Sequence, residues 1–127
     1  MKKAFIATAA VSIAAAAAPA IAPASGGNDV RSTGKCSGSS TSKIKVKQRD
    51  GRLEVEFEVD QNRNGVVWKV KLKDNDAVAF KGTAKTKGPS GSFSVERAID
   101  DQAGSDSVKG VGRNPDTGER CVAEVKV

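Results

Sequence analysis

The chain has 127 residues, enough for one domain, and its 21 Lys and Arg residues outnumber its 15 Asp and Glu residues, which gives a net charge of +6. It contains two cysteines and no histidine. The lack of histidine excludes a serine-histidine-acid triad, a cysteine-histidine dyad and the ordinary zinc sites.

Residues 1–24 have the three parts of a secretory signal peptide. Two lysines precede an apolar, alanine-rich stretch at 4–18, and a small-x-small cleavage site ends at Ala24. The stretch is too short and too rich in alanine to anchor a protein in a bilayer, so we expect no transmembrane segment. Cleavage after Ala24, or alternatively after Ala20, places the mature protein outside the cell or at the cell wall. Cleavage after Ala24 leaves 103 residues with a net charge of +4.

Cys36 and Cys121 lie near opposite ends of the mature chain. In an oxidising compartment two such cysteines most simply pair with each other, so we expect one disulfide. A free thiol and an intermolecular bridge are the alternatives. The pair lacks Cys-x-x-Cys spacing, and no histidine accompanies it, so we expect neither a metal nor a cofactor.

Residues 25–41 are rich in Gly, Ser and Thr and are predicted to be irregular, tethered by Cys36. The segments 42–48 and 52–59 are then predicted to form a hairpin around Asp50-Gly51, a pair typical of the type I′ turn. In that register apolar residues face each other on one side and Lys faces Glu on the other, and a slip of one residue would destroy both matches.

Five further strands are predicted at 67–73, 77–84, 92–99, 107–113 and 119–127. A three-residue turn after the first of them would place Val70 opposite Phe80 and Trp68 over Gly82.

In the last predicted hairpin, 107–113 with 119–127, Gly112 would face Cys121. The glycine would then leave room for the Cys36 sulfur.

Seven short strands over residues 42–127 predict an all-β antiparallel sandwich. Their order suits the immunoglobulin-like sandwich of the fibronectin type III kind, with the first, second and fifth strands in one sheet and the other four in the second. The true immunoglobulin cysteine pair is absent, because Cys36 precedes the first predicted strand.

Several residues spread along the chain form a pattern: Cys36, 52–60, Asn62, Arg63, Gly65, Trp68, Ala103, Gly104 and Cys121. In this pattern the chain resembles small secreted proteins of actinomycete type, with a leading cysteine, an acid-rich second strand, a D-x-N-R-x-G-Q-x-W loop and a late cysteine. Val66 stands where their loop has glutamine. The resemblance covers nearly all of the mature chain, and it implies secretion and the sandwich fold but no activity.

Two acidic segments are weak candidates for chemistry. Residues 60–65 are similar to the start of a calcium loop, but Lys71 stands at the twelfth position, where a bidentate carboxylate is needed. Asp100 and Asp101 come nearest to the pair of carboxylates that glycoside hydrolysis requires. A domain of this size, however, has little room to enclose a sugar substrate. We therefore expect no metal site and no enzyme, with a carboxylate-based hydrolase as a remote alternative.

Charge is concentrated on the outer face of the predicted four-stranded sheet. That face carries nine basic residues, here called the basic face, and one acid, Glu124. The basic face consists of Lys69, Lys71, Lys73, Lys81, Lys85, Lys109, Arg113, Arg120 and Lys126. Such a face attracts polyanions, although lysines on strands also serve simply to keep a surface soluble.

These observations predict a secreted, monomeric, non-catalytic binding module. Its partner would be an anionic cell-wall polymer or another secreted protein, bound through the basic face. The lack of exposed aromatic residues disfavours specific nucleic-acid recognition. The alternative is a secreted protease inhibitor that presents 60–65 or 100–106 as a rigid loop.

Overall fold

The computed structural model describes residues 29–127, which form two antiparallel β-sheets with one disulfide and no helix. The predicted signal peptide at 1–24 lies outside the described residues. The strands are β1 (Asp29–Thr33), β2 (Lys35–Cys36), β3 (Thr41–Arg49), β4 (Arg52–Asp60), β5 (Val67–Asp74), β6 (Ala77–Lys85), β7 (Ser92–Asp100), β8 (Ser107–Arg113) and β9 (Arg120–Lys126). Sheet I has the strand order β1-β3-β4-β7, and sheet II has the order β2-β9-β8-β5-β6. The all-β class and the two-sheet architecture are confirmed.

The described residues contain nine strands, so the prediction of seven is wrong. Both additional strands come from the segment 25–41, which the sequence predicts to be irregular. β1 pairs along β3, with Val30 opposite Val46, and β2 pairs with β9. Each short strand forms backbone hydrogen bonds with the edge of a sheet. The alternation of apolar and polar side chains does not indicate such backbone pairing, so the sequence pattern did not predict these strands.

The β3–β4 hairpin forms in the predicted register throughout. Asp50 and Gly51 have φ angles of 55° and 76°, the positive values that both central positions of a type I′ turn require. On the outer side, the ammonium of Lys45 lies 3.2 Å from a carboxylate oxygen of Glu56.

The turn between β5 and β6 is shorter than predicted. It contains two residues, Asn75 and Asp76, with φ angles of 51° and 70°, and Asp74 pairs directly with Ala77. Asn and Asp are the side chains that best tolerate the left-handed conformation, so a two-residue turn is possible here without glycine.

The predicted β5–β6 register is therefore wrong. A bulge after Leu72 shifts the pairing, so that Val70 lies opposite Gly82 and Trp68 opposite Ala84. A bulge inserts one unpaired residue without changing the apolar alternation of the partner strand, and the sequence pattern alone does not locate it.

The core lies between the inward faces of the two sheets. Phe57 of β4 and Trp68 of β5 are fully buried at its centre. A Cβ atom at Gly110 would collide with the Phe57 ring, and one at Gly112 would lie 3.4 Å from the Trp68 ring. The two glycines of β8 therefore provide space for aromatic rings of the core.

The disulfide between Cys36 and Cys121 is confirmed. The two cysteines are direct cross-strand partners on β2 and β9, so Gly112 does not make room for the bond as the sequence suggested. The bond attaches the segment before β3 to the last strand. None of the described residues forms a helix long and apolar enough to cross a membrane.

Removal of the disulfide should destabilise the domain strongly. The two cysteines are 85 positions apart, so the bond restricts most of the unfolded chain. We expect Cys36→Ala/Cys121→Ala to lower the free energy of unfolding by ~2 to 5 kcal/mol. Urea unfolding followed by Trp68 fluorescence measures this change, and equal midpoints for the variant and the oxidised wild type would contradict it.

Gly110→Ala should destabilise the domain more than Gly112→Ala. The added methyl group at position 110 meets the Phe57 ring, whereas at position 112 the nearest atom lies at ordinary contact distance, 3.4 Å. We expect a loss of ~1 to 3 kcal/mol for the first variant, as for other overpacked cores, and a smaller loss for the second. The denaturant midpoints of the two variants test this prediction. A lower midpoint for Gly112→Ala than for Gly110→Ala would mean that a contact other than that between Phe57 and Gly110 limits the approach of the sheets.

Candidate functional site

The basic face occupies four neighbouring strands of sheet II, β6-β5-β8-β9. The alternate residues of these strands point into the core, so the nine basic residues lie on the outward side. Seven are exposed, and Lys73 and Lys109 are half-buried. The register sets like charges opposite each other in four cross-strand pairs. These pairs are Lys71/Lys81, Lys69/Arg113, Lys73/Lys109 and Arg113/Arg120.

The ion pairs of the described residues are all in the other sheet. Each of the six joins two residues of sheet I, and none includes a residue of the basic face. Exposed pairs of this kind contribute only ~0 to 1 kcal/mol each to stability. Their distribution nevertheless shows that charge is compensated on one outer face and left uncompensated on the other.

Glu124 is the one acid among the outward residues of β6, β5, β8 and β9. It lies opposite Lys109 and accepts a hydrogen bond from the Ser107 hydroxyl. That hydrogen bond is the main reason why the pKa of Glu124 lies below its ordinary value; Lys109 and Lys126 lower it further, and desolvation opposes them. Glu124 is therefore ionised at neutral pH and offsets one of the nine positive charges.

Sequence reasoning missed Lys35, which lies beside the basic face. The residue is exposed on β2, opposite Val122 of β9. Because the segment 25–41 was expected to be irregular, Lys35 could not be assigned to a sheet face. The signal was its position next to Cys36, since neighbours along a strand point to opposite faces.

A second feature, which we call the acid pair, lies at the end of the sandwich that contains the turns at 50–51 and 75–76. It consists of Asp74 and Asp106, which are only 5% and 1% exposed. Neither carboxylate oxygen of Asp74, nor Oδ1 of Asp106, has a hydrogen-bond donor. Burial raises the pKa of Asp74 to about 7, and the hydrogen bond with Asp106 and the charges of Asp106 and Asp101 act in the same direction.

The sequence contained a signal for the acid pair. Trp68, Val70 and Leu72 alternate inward along β5, and the same alternation brings Asp74 to the inward side. Asp106 likewise continues the inward side of β8 by one residue beyond the strand. An acid that continues a core face just past the last apolar residue is therefore a predictable position for a buried carboxyl group.

The structure separates the two acids that the sequence suggested as a catalytic pair. Asp100 is exposed at the end of β7, with its carboxylate 3.8 Å from the guanidinium of Arg52. Asp101 is directed towards Asp106 instead, and partial burial, followed by the hydrogen bond and charge of Asp106, raises its pKa. The two acids do not face one common site. Asp74, Asp100 and Gln102 line a surface groove of about 520 Å³ beside the acid pair.

The loop at 60–65 is held by hydrogen bonds of its own. Asp60 Oδ1 accepts the Asn62 backbone N–H at 2.9 Å. The Thr86 hydroxyl donates to the Arg63 carbonyl oxygen at 2.6 Å and accepts the Val66 N–H at 2.9 Å. These bonds restrain the backbone of the loop.

Lys71, the twelfth residue counted from Asp60, lies on β5 opposite Lys81. It could not complete a calcium cage even in a different loop conformation, because its side chain is a cation. The absence of calcium from this loop remains a prediction.

One group of three potential metal ligands occurs among the described residues: Cys36, Glu119 and Cys121. Both sulfur atoms are bonded to each other in the disulfide. The Glu119 carboxylate accepts the backbone N–H and the hydroxyl of Ser40, both at 2.9 Å. The donor atoms of this group are therefore engaged in structural bonds.

The fold and the basic face together define a disulfide-linked antiparallel β-sandwich with one charge-compensated and one basic outer face. A scan against protein-family models, a search of curated proteins and a search of solved structures each return no match to this chain.

Proposed function

We propose that the protein is a secreted, non-catalytic binding module that adheres to anionic cell-wall polymer through the basic face. The observation that carries this proposal is the one-sided distribution of ion pairs. Sheet I contains a few like-charged pairs, but its Lys–Glu pairs and six ion pairs offset them, whereas β5, β8 and β9 place cations opposite cations and form no ion pair. Like charges directly opposed across strands are destabilising, so the basic face has an energetic cost that an anionic partner would relieve.

The arrangement of the cations favours a polymer over a small ligand. Lys69, Lys71 and Lys73 alternate along β5, which spaces their Cα atoms by roughly 6.8 Å, and neighbouring strands lie about 4.8 Å apart. The result is a grid of positive charges across an open sheet surface. A chain with repeated anionic groups can occupy many such positions at once and release many counterions, which gives affinity without a deep pocket.

The proposed secretion and fold type have their own support. We infer an immunoglobulin-like sandwich of the fibronectin type III kind, because β3-β4-β7 and β9-β8-β5-β6 follow the order expected for its two sheets. A disulfide in a small β domain is compatible with an extracellular location, since such bonds persist in oxidising compartments. The resemblance to small secreted proteins of actinomycete type agrees with both inferences.

Neutralising β5 should weaken polymer binding. We expect Lys69→Gln/Lys71→Gln/Lys73→Gln to bind poly(glycerol phosphate) more weakly than wild type and to reduce the slope of log K against log[salt] by ~2 to 3, about one unit for each lysine. The measurement is a binding isotherm by titration calorimetry at several salt concentrations.

The matched control is Lys43→Gln/Lys45→Gln/Lys47→Gln, which removes the same charge from sheet I. Two of these lysines pair with Glu and the third with Asp29, so they should contribute much less to binding. Equal effects of the two triple variants, or no binding by wild type at physiological salt, would show that the basic face is only a soluble surface.

A second proposal, a protease inhibitor, is favoured by the hydrogen bonds that restrain the loop at 60–65. Its carbonyl and amide groups are fixed by Thr86, and Arg63 is exposed in the same loop. We expect an inhibitor of this type to slow a trypsin-like protease through Arg63, and Arg63→Ala to abolish the effect, with Arg113→Ala as the control. Rapid cleavage of wild type after Arg63, without inhibition, would refute this second proposal.

A further inference from the structure

The acid pair requires something that neutralises it. Two ionised carboxylates buried side by side repel each other, and burial deprives both of hydration. Asp74 receives no hydrogen bond from any donor among the described residues, and Asp106 receives one only at Oδ2. Both residues are more than nine-tenths buried, and the oxygen atoms without a donor are themselves inaccessible to solvent.

The neighbouring elements supply no cation to the pair. On the loop before β8, Asp101 adds a further carboxylate, and the Gln48 side chain of β3 is hydrogen-bonded to Asp101. Arg52 of β4 lines the adjacent groove, but its guanidinium donates to the Ala98 carbonyl oxygen at 3.0 Å and lies 3.8 Å from Asp100. No ion pair among residues 29–127 includes Asp74, Asp101 or Asp106.

A proton held between the two groups resolves this conflict. A protonated carboxyl group has one O–H donor, and an ionised one is a strong acceptor, so two adjacent carboxyl groups with a single proton satisfy each other. Asp74 is the natural donor because both of its oxygens lack any other partner. Asp106 is the natural acceptor because its Oδ2 already accepts the Gln102 N–H at 3.1 Å.

We propose that Asp74 and Asp106 share one proton, and that this hydrogen bond is a pH-sensitive latch that holds the loop at 101–106 against β5. Asp106 is well placed for that role. Its backbone N–H and carbonyl oxygen both pair with Val127 at 2.8 Å, so one residue joins the loop, the segment after β9 and, through the shared proton, β5. Loss of the proton leaves two buried negative charges in contact and releases the loop.

The direction of the pH dependence follows from the position of the proton. The pKa of Asp74 is raised from 3.8 to about 7, so between these values the folded state holds a proton that the unfolded state has lost. Stability therefore falls as pH rises from about 4 to about 7 and changes little from this source at higher pH. The equilibrium constant for unfolding should rise by up to about tenfold per pH unit within that range.

Asp74→Asn tests the latch. The amide is nearly isosteric with a protonated carboxyl group and keeps an N–H donor for Asp106 at every pH. In urea unfolding from pH 4.5 to 8.5 with EDTA present, we expect the variant to lose most of the fall in stability that wild type shows, and to exceed wild type at pH 8. The raised pKa of Asp101 accounts for a smaller fall that the variant keeps. The control is Asp100→Asn, which removes an exposed acid directly before the same loop. This variant should retain the wild-type profile.

Local opening has a separate readout. Amide hydrogen exchange, corrected for its intrinsic pH dependence, should show that the Gln102 N–H of wild type loses protection above pH 7 while amides of β4 keep theirs. A carboxyl-carbon NMR titration of wild type covers the case in which Asp74→Asn does not fold. One buried aspartate titrating near neutrality would support the latch.

Three results would overturn the proposal. The first is a pair of parallel stability profiles for wild type and Asp74→Asn, and the second is an NMR titration in which every aspartate ionises below pH 5. The third is stabilisation of wild type, but not of Asp74→Asn, by millimolar Ca²⁺ at pH 8. That last result would show that a cation rather than a proton neutralises the acid pair.

Discussion

The contact between the Phe57 ring and the backbone of β8 determines how closely the two sheets approach. The ring occupies the space that a side chain at Gly110 would fill. Phe93 then packs against both central aromatics, with ring centroids 6.3 Å from Phe57 and 6.0 Å from Trp68. Close packing of this kind fixes which residues of β5 and β8 point inward, and it thereby fixes the lysines and arginines that point outward.

The accuracy of the sequence prediction depended on how many independent signals agreed. The β3–β4 hairpin was predicted correctly because the Asp50-Gly51 turn, the apolar face and the Lys–Glu face all specify one register. The β5–β6 register failed because only the apolar alternation constrained it, and the bulge after Leu72 breaks that alternation by placing Val78 and Phe80 on opposite faces of β6. β1 and β2 were missed because backbone pairing, rather than an apolar pattern, holds them to the sheet edges.

The partners of polar residues at inward positions were the least predictable part of the molecule. Arg97 lies opposite Val55 at an inward position of β7, and its guanidinium lies 4.3 Å from the centre of the Phe80 ring of β6. A cation over an aromatic face covers the open side of the core between the two edge strands. Asp74 and Asp106 are also polar residues at inward positions, and they lie at the end of the core. Strand alternation correctly indicates the face of such residues, but the partner that makes a polar group tolerable at an inward position becomes visible only in three dimensions.

The two outer faces differ in a way that the core does not require, and this difference is the basis of the functional proposal. The most direct test is a titration of the ¹⁵N-labelled protein with soluble long-chain polyphosphate at physiological salt, followed by amide chemical shifts. We predict that shifts change along the outward residues of β6, β5, β8 and β9, centred on Lys71, while β3 and β4 are unaffected. Shift changes confined to sheet I or to the loops, or no change at all, would contradict binding through the basic face.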